Sequence, residues 1–418
     1  MRHFTIFAIL LAFPVFIGCE AIKTDDEGEK LTPTEMHEIT LTKAQQGYVK
    51  AGNAFSYKLF EQVLKENSGS IMLSPLSVEY ALAMLCNGAD GATQEEILNL
   101  LGYKAGEMAG VNEFCKYLTK ELLAADNTVS MSLANALIAN SAIARLKKGY
   151  TTTLENYYDA LIKGYDFNID KAAALSNINK WAEDKTNGMI KNLLDVLDPN
   201  TYLLLMNAIY FKGNWAEYVT FDKKKTQTGI FTKESGAKEN VDYMNQEAEM
   251  SYAETGLYQT VSLPYGNGAF CMSVYLPIEG KTVEDVLASL QTDDIQSYTN
   301  TDLTIVKLKL PKFETENKIE LNEILRALGM QLAFTGGADF SAMAEDPLYV
   351  SRVFQKSRIK VYEEGTEAAA VTVVEVVYGS AFPQEPKTVI FHATRPFMYL
   401  IRETSTGAIL FMGKYDGK

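Results

Sequence analysis

Between Tyr202 and Phe211 the chain reads YLLLMNAIYF, an apolar run interrupted by Asn207 alone. A run of this kind has the length of a strand and no hydrophilic face, so it needs cover on both sides. The rest of the chain supplies that cover in a fixed order. Before the run, apolar residues recur at helical spacing, in AGNAFSYKLFEQVLKEN, from Ser77 through Leu82, and again between Leu175 and Leu194. Ser74-Pro75 reads as a helix start, because Pro lacks the N–H that a first turn leaves unpaired. Beyond the run, strand character dominates. VSLPYGNGAFCMSVYLP (261–277) is a hairpin whose Gly266-Asn267-Gly268 tolerates positive φ. Val306 to Leu310 alternates and should be half exposed. Asn317 to Leu328 reads as helix, and FMYLIR with AILFMGKY forms a closing hairpin between Phe397 and Tyr415. Helices precede strands without βαβ alternation, which indicates an α+β body. No repeat or Pro/Ser-rich linker divides residues 45–415, so a single domain is expected over 45–418.

The first residues are a separate object. Arg2 and His3 precede an apolar run from Phe4 to Ile17, too short to span a bilayer of about 30 Å but suited to a signal-peptide core. Phe16-Ile17-Gly18-Cys19 resembles the lipobox of bacterial lipoproteins, in which the Cys thiol, here Cys19, takes a diacylglyceryl group. The alternative is an ordinary secretory signal with an incidental Cys. On the lipoprotein reading, residues 1–18 are the signal peptide and 19–44 an acidic tether. Asp25, Asp26, Glu27 and Glu29 suit a solvated tether, and they also resemble a surface-export signal of some Gram-negative lipoproteins. The expected location is a bacterial outer membrane, exposed at the surface, with periplasmic or secreted forms as alternatives. Two or three acyl chains would hold the body there, and membrane contact is expected only through them.

The formal charge of −14 and a pI near 4.9 leave no cation excess for a nucleic-acid backbone. With Cys19 spent, Cys86, Cys115 and Cys271 are an odd set without metal-ligand spacing, and their apolar surroundings make Cys86 and Cys271 core residues. The only histidines are His3, His37 and His392, and no G-x-S-x-G, H-E-x-x-H or Walker motif occurs. That absence weighs against the commonest hydrolase and nucleotide-binding mechanisms, though not against every enzyme, and no metal and no cofactor is expected.

Residues 363–383 read EEGTEAAAVTVVEVVYGSAFP. From Val371 to Val377, six residues of seven are β-branched. Thr366, Ala368, Ala370, Thr372, Val374 and Val376 form one alternating set, small or β-branched and uncharged, while Glu367 and Glu375 fall in the other. Segregation at period two specifies a strand with one face in a core. On these residues alone it is a strand of the native sheet.

The chain as a whole resembles the serpins, from about residue 48 to 416. GSIMLSPLSVEYALAMLCNGADGATQEEILNLLGY is similar to the family's early strand and helix, NKWAEDKTNGMIKNLL to a later helix, and LLLMNAIYFKGNWAEYVTF to its long central strand with Trp215 at the top. LPKFETENKIELNEILRALGM, ADFSAM and FHATRPFMYLIRETSTGAILFMGKY follow in family order. The resemblance implies a fold of three β-sheets and about nine helices with an exposed reactive-centre loop, about 363–386. Its hinge would be Glu363, Gly365, Thr366, Glu367, Ala368, Ala369 and Ala370. It further implies a suicide substrate: a target serine protease cuts the loop, an acyl-enzyme forms, and the loop enters the main sheet as a new strand, trapping the protease. A charge or Pro at Thr366, Ala368 or Ala370 would oppose entry, and none is present, so an inhibitory member is expected.

The family's spacing puts the cut at Gly379-Ser380. One residue earlier, Tyr378-Gly379 would suit a chymotrypsin-like pocket, and Val376-Val377 an elastase-like one. Ser74, Ser77 and Asn207 match the polar cluster where the family's main sheet opens, and Gln355 stands where the family often has His. Only Lys116 and Lys120 are basic around 110–126, so no glycosaminoglycan partner is expected. A monomer forming a covalent complex with its protease is the resulting expectation. The alternatives are a non-inhibitory serpin acting as a binding protein or chaperone, and, in a different class, a surface nutrient-binding lipoprotein.

Overall fold

The structure, a computed structural model, describes residues 32–143, 145–291, 303–366 and 387–418. The first half holds α1 (Lys43–Glu66), β1 (Ile71–Leu73), α2 (Pro75–Cys86), α3 (Gly91–Leu101), α4 (Met108–Ala124), β2 (Val129–Asn140), α5 (Lys148–Tyr158), β3 (Leu161–Tyr165) and α6 (Lys171–Lys185). Then come β4 (Leu203–Asn214), β5 (Gln227–Thr232), β6 (Lys238–Glu254), β7 (Tyr258–Tyr265), β8 (Phe270–Pro277), α7 (Val283–Leu290), β9 (Leu303–Pro311), β10 (Phe313–Glu320) and α8 (Asn322–Ala327). The chain closes with β11 (Arg352–Tyr362), β12 (Gly365–Thr366), β13 (Thr388–His392), β14 (Phe397–Glu403) and β15 (Ile409–Tyr415).

Hydrogen bonds gather these strands into two sheets. One has six strands in the order β10-β11-β12-β4-β2-β3. The other has nine, β1-β15-β14-β8-β7-β6-β9-β13 with β5 on β6. The long strand β6 links two parts of the larger sheet, because it pairs with β9 over 243–251 and with β7 over 251–254. Two of the three expected sheets are thereby joined into one hydrogen-bonded ladder.

The apolar run is β4, and its two faces serve different layers. Leu203, Leu205, Ile209 and Phe211 enter the main core with α1, α2 and the nine-stranded sheet. Leu204 and Met206 join Ala174, Ile178 and Ala182 of α6 and Phe354 of β11 in a second cluster. Helix α2 is buried along its whole length, capped by the Ser74 hydroxyl and started by Pro75. Strand β9 buries Val306, Leu308 and Leu310 and turns Lys307 outward, the half-exposed pattern its alternation requires.

Two boundaries differ from the sequence reading. Helix α6 ends at Lys185 instead of continuing to Leu194, because Asn187 and Gly188 take φ of 48° and 79°, outside any right-handed helix. The Thr186 hydroxyl binds Ala182 O at 2.7 Å and accepts from Ile190 N at 2.9 Å, closing that end. Asn317 to Glu320 belong to β10 and not to a helix. Phe313, Thr315 and Ile319 point inward there while Glu314, Glu316 and Glu320 ion-pair with Arg358, Lys356 and Arg352 of β11.

Candidate functional site

The seam between β4 and β11 is the site. These strands run parallel and pair directly from Arg352↔Leu204 to Lys356↔Ala208, with Gln355 opposite Asn207. At the other end they do not pair with each other. Gly365 and Thr366 sit between them, antiparallel to both, Gly365 facing Tyr362 and Asn214, Thr366 facing Val361 and Gly213. Ten residues separate Tyr362 from Arg352, and ten separate Asn214 from Leu204. The strands therefore keep one register over their length, and separating them sideways requires no sliding.

The sequence makes this wedge possible at two glycines. Gly365 has φ of 150°, and a Cβ there would strike the Gly213 carbonyl and Asn214. Gly213 leaves room for the ring of Tyr265. Thr366 is 1% exposed, and its hydroxyl lies 2.8 Å from the Tyr265 hydroxyl. Tyr265 stacks on Trp215 with centroids 4.6 Å apart and 18° between planes, and Phe211 meets it edge-on. Trp215 also donates from Nε1 to Tyr362 O and from its backbone N to Glu364 O, both at 2.9 Å. The expected aromatic at the top of the sheet is thus the wall of the wedge.

Two carboxylates anchor the approach to the wedge. Glu363 accepts a hydrogen bond from Thr226 Oγ1 at 2.7 Å and pairs with Lys312 Nζ at 3.0 Å. Burial pushes its carboxyl up, but Thr226, the backbone and the Lys312 ammonium outweigh burial and hold it below the usual carboxylate range. Glu364 pairs with Lys223, whose pKa that hydrogen bond raises. The next turn of chain, Phe221 N, donates to Glu363 O at 3.2 Å.

The closed end of the seam rests on α2. Gln355 Oε1 accepts from Ser74 N at 2.7 Å, and Gln355 Nε2 donates to Ser74 O at 3.0 Å. The Ser74 hydroxyl donates to Leu410 O at 2.7 Å. Ser77 is buried one turn into α2, and its N–H reaches Ser74 Oγ at 3.4 Å. Asn207 is placed by its backbone opposite Gln355 on one side and Asn135 on the other. Ser357 and Asn317 extend the cluster, binding Met72 O at 2.6 Å and Met72 N at 2.8 Å.

Of the residues singled out from sequence, the structure brings together Ser74, Ser77 and Gln355, with the Asn207 backbone beside them, and separately Trp215, Glu363, Gly365 and Thr366. Glu367, Ala368, Ala369, Ala370, Tyr378, Gly379, Ser380 and Cys19 lie outside the described residues. Sequence reasoning missed Tyr265, Lys312, Thr226, Lys223, Ser357 and Asn317. Only the last two left a signal, as polar residues in the inward positions of alternating strands.

A family model described as "Serpin (serine protease inhibitor)" matches residues 50–416. The chain is 31% identical to an uncharacterised serpin-like protein of Methanosarcina mazei over 417 residues, 98% of this chain and 96% of that one. The solved structure of tengpin, a thermophilic serpin in the native state, superposes with a TM-score of 0.81 at 30% identity, covering 93% of this chain and 98% of that one. Human thyroxine-binding globulin, solved in complex with thyroxine, gives 0.79 at 28% identity over 88% of this chain and 98% of that one.

Proposed function

This chain belongs to the serpin family, and we propose that it inhibits serine proteases of chymotrypsin or elastase type by trapping them on its own loop. The observation that carries the reading is the wedge at Gly365–Thr366 between two strands already in common register. Continuing that register downward supports insertion residue by residue. Ala368 would fall between Phe211 and Ile359, Ala370 between Ile209 and Ser357, and Val374 between Leu205 and Val353. Those neighbours are buried, and the incoming side chains are small or β-branched. On the outer face Glu367 would fall between Lys212 and Lys360, and Glu375 beside Arg352, so both charges meet cations.

The chemistry follows from tethering. While both ends are held, the segment cannot pass down the seam. A serine hydroxyl of the protease attacks the carbonyl of Tyr378 or Gly379, the peptide bond breaks, and its amine leaves with the C-terminal fragment. The N-terminal fragment stays esterified to the protease and is free to enter between β4 and β11. Each inserted residue gains ladder hydrogen bonds of about 0.5–1.5 kcal/mol net, which drives entry before water hydrolyses the ester. The protein is consumed in the process and is not a catalyst.

The location we propose is the surface of a bacterial outer membrane, through Cys19 and the acidic tether. A carrier role is the second reading, favoured by the likeness to thyroxine-binding globulin, a serpin solved with thyroxine. The uncharged, small residues at Thr366, Ala368 and Ala370 of the hinge argue against it. Incubation with chymotrypsin-like and elastase-like proteases separates the readings. A covalent band resistant to SDS, with a cut between Val376 and Phe382 by mass spectrometry, supports inhibition. Clean cleavage without the band refutes it.

A further inference from the structure

Glu79 lies in the middle of α2, is 3% exposed, and joins none of the hydrogen bonds or ion pairs described for the wedge and the seam. Its carboxyl fills the space beside Gly52 of α1, where a methyl group would overlap both oxygens. Tyr103, just past α3, donates its hydroxyl to Glu79 Oε1. The small cavity beside it, about 10 Å³, is lined by Val49 and Asn53 of α1, Leu76 of α2, Phe114 and Leu118 of α4, and Ile409 of β15.

Every titratable group facing this carboxyl is neutral. Tyr80 on α2, Tyr103 just past α3, and Cys115 on α4 are all pushed far up, mainly by burial. Tyr48 of α1 packs on Tyr103, and Glu107, a carboxylate, acts on Tyr48. Among the described residues no cation is paired with Glu79. Burial therefore dominates and, against the Tyr103 hydrogen bond, raises its pKa to about 7.

The same helix holds the closed seam. Ser74 at its start clamps Gln355, and the Ser74 hydroxyl is fastened to Leu410, the neighbour of cavity-lining Ile409. We propose that Glu79 is a proton-operated control on the parting of β4 and β11: its neutral form keeps α2 seated on the seam, and its ionised form favours any state that lets α2 lift and admit water. Gln355 does not titrate, so the pH sensitivity of the seam sits one and a half turns up the helix. The consequence for trapping, faster insertion at neutral than at acidic pH, rests on the inhibitor reading; the device itself does not.

The sign follows from linkage. A carboxyl that is harder to ionise in the closed form stabilises that form fully below its ordinary pKa of about 4.5, and the stabilisation is lost as pH rises to 7. For complete hydration on opening, the opening constant rises about seventyfold between pH 5 and 8, and levels off above 7. Hydrogen exchange of the amides in 204–208 and 352–356 reads this in the uncut protein, with no protease present. Expected is a rise of at least about tenfold in seam opening for the unaltered chain, after correction for intrinsic exchange, and a change within about twofold for Glu79→Gln. In Tyr103→Phe, which removes the hydrogen bond that favours ionisation, opening should keep rising past pH 7. Identical profiles in the unaltered chain and Glu79→Gln overturn the proposal, and so does a Tyr103→Phe profile that levels off at the same pH.

Discussion

Replacing Thr366 by Arg tests the wedge at its tightest point. Thr366 is 1% exposed, bonded to Tyr265, and flanked by Val361 and Gly213. Loss of its hydrogen bond costs about 0.5–1.5 kcal/mol. Leaving a guanidinium unpaired in that slot costs about 3–5 kcal/mol more. In the uncut protein the hinge escapes this cost by withdrawing to solvent, so folding should survive. During insertion it cannot withdraw, and the whole penalty falls on the entering strand. Three to five kcal/mol slows entry by roughly two to four powers of ten, enough for hydrolysis of the ester to win. The assay is the stoichiometry of inhibition with an SDS gel, run beside Thr366→Val as a control that keeps size without charge. Thr366→Arg should be cut at the same bond at an ordinary rate and leave active protease, while Thr366→Val still forms complex. A stable complex with Thr366→Arg at unchanged stoichiometry would refute the argument from the wedge.

Two further outcomes follow from the anchors. Gln355→Ala removes both bonds to the Ser74 backbone and leaves buried groups unpaired, so the intact form should lose about 2–4 kcal/mol by denaturant unfolding; a loss below about 0.5 kcal/mol would mean the clamp carries no load. Glu363 has a depressed pKa, so its contribution is present above the ordinary carboxylate range and disappears as pH falls through its folded value. Melting temperature measured from pH 6 down to 3 should therefore fall less steeply in Glu363→Gln than in the unaltered chain, and equal slopes would remove Glu363 as an anchor.

Local pattern carried much of the fold. The hairpin β7–β8 is legible because Gly266 and Gly268 take φ of 43° and 92°, and the closing hairpin β14–β15 because two apolar runs flank a short polar turn. The two-faced burial of β4 follows from its composition alone. Period misled where polar residues sit on a strand's inner face: Asn317 broke the alternation of β10, so its end read as helix, although Asn317 is held by Ser70 and Met72 across the core. The end of α6 was missed because two successive left-handed residues, one of them Asn, stop a helix whose apolar spacing continues. The wedge itself is non-local. Lys312, between β9 and β10, and Thr226, just before β5, reach Glu363 from far away in sequence, and no local pattern announces such pairs.

The central claim is that cutting the loop lets a strand enter a seam already in register and makes the molecule more stable. The direct measurement is thermal unfolding of the intact protein against the same protein nicked between Val376 and Phe382. About ten new ladder residues should raise the melting temperature by about ten degrees or more. A nicked form that melts at or below the intact temperature would contradict the account.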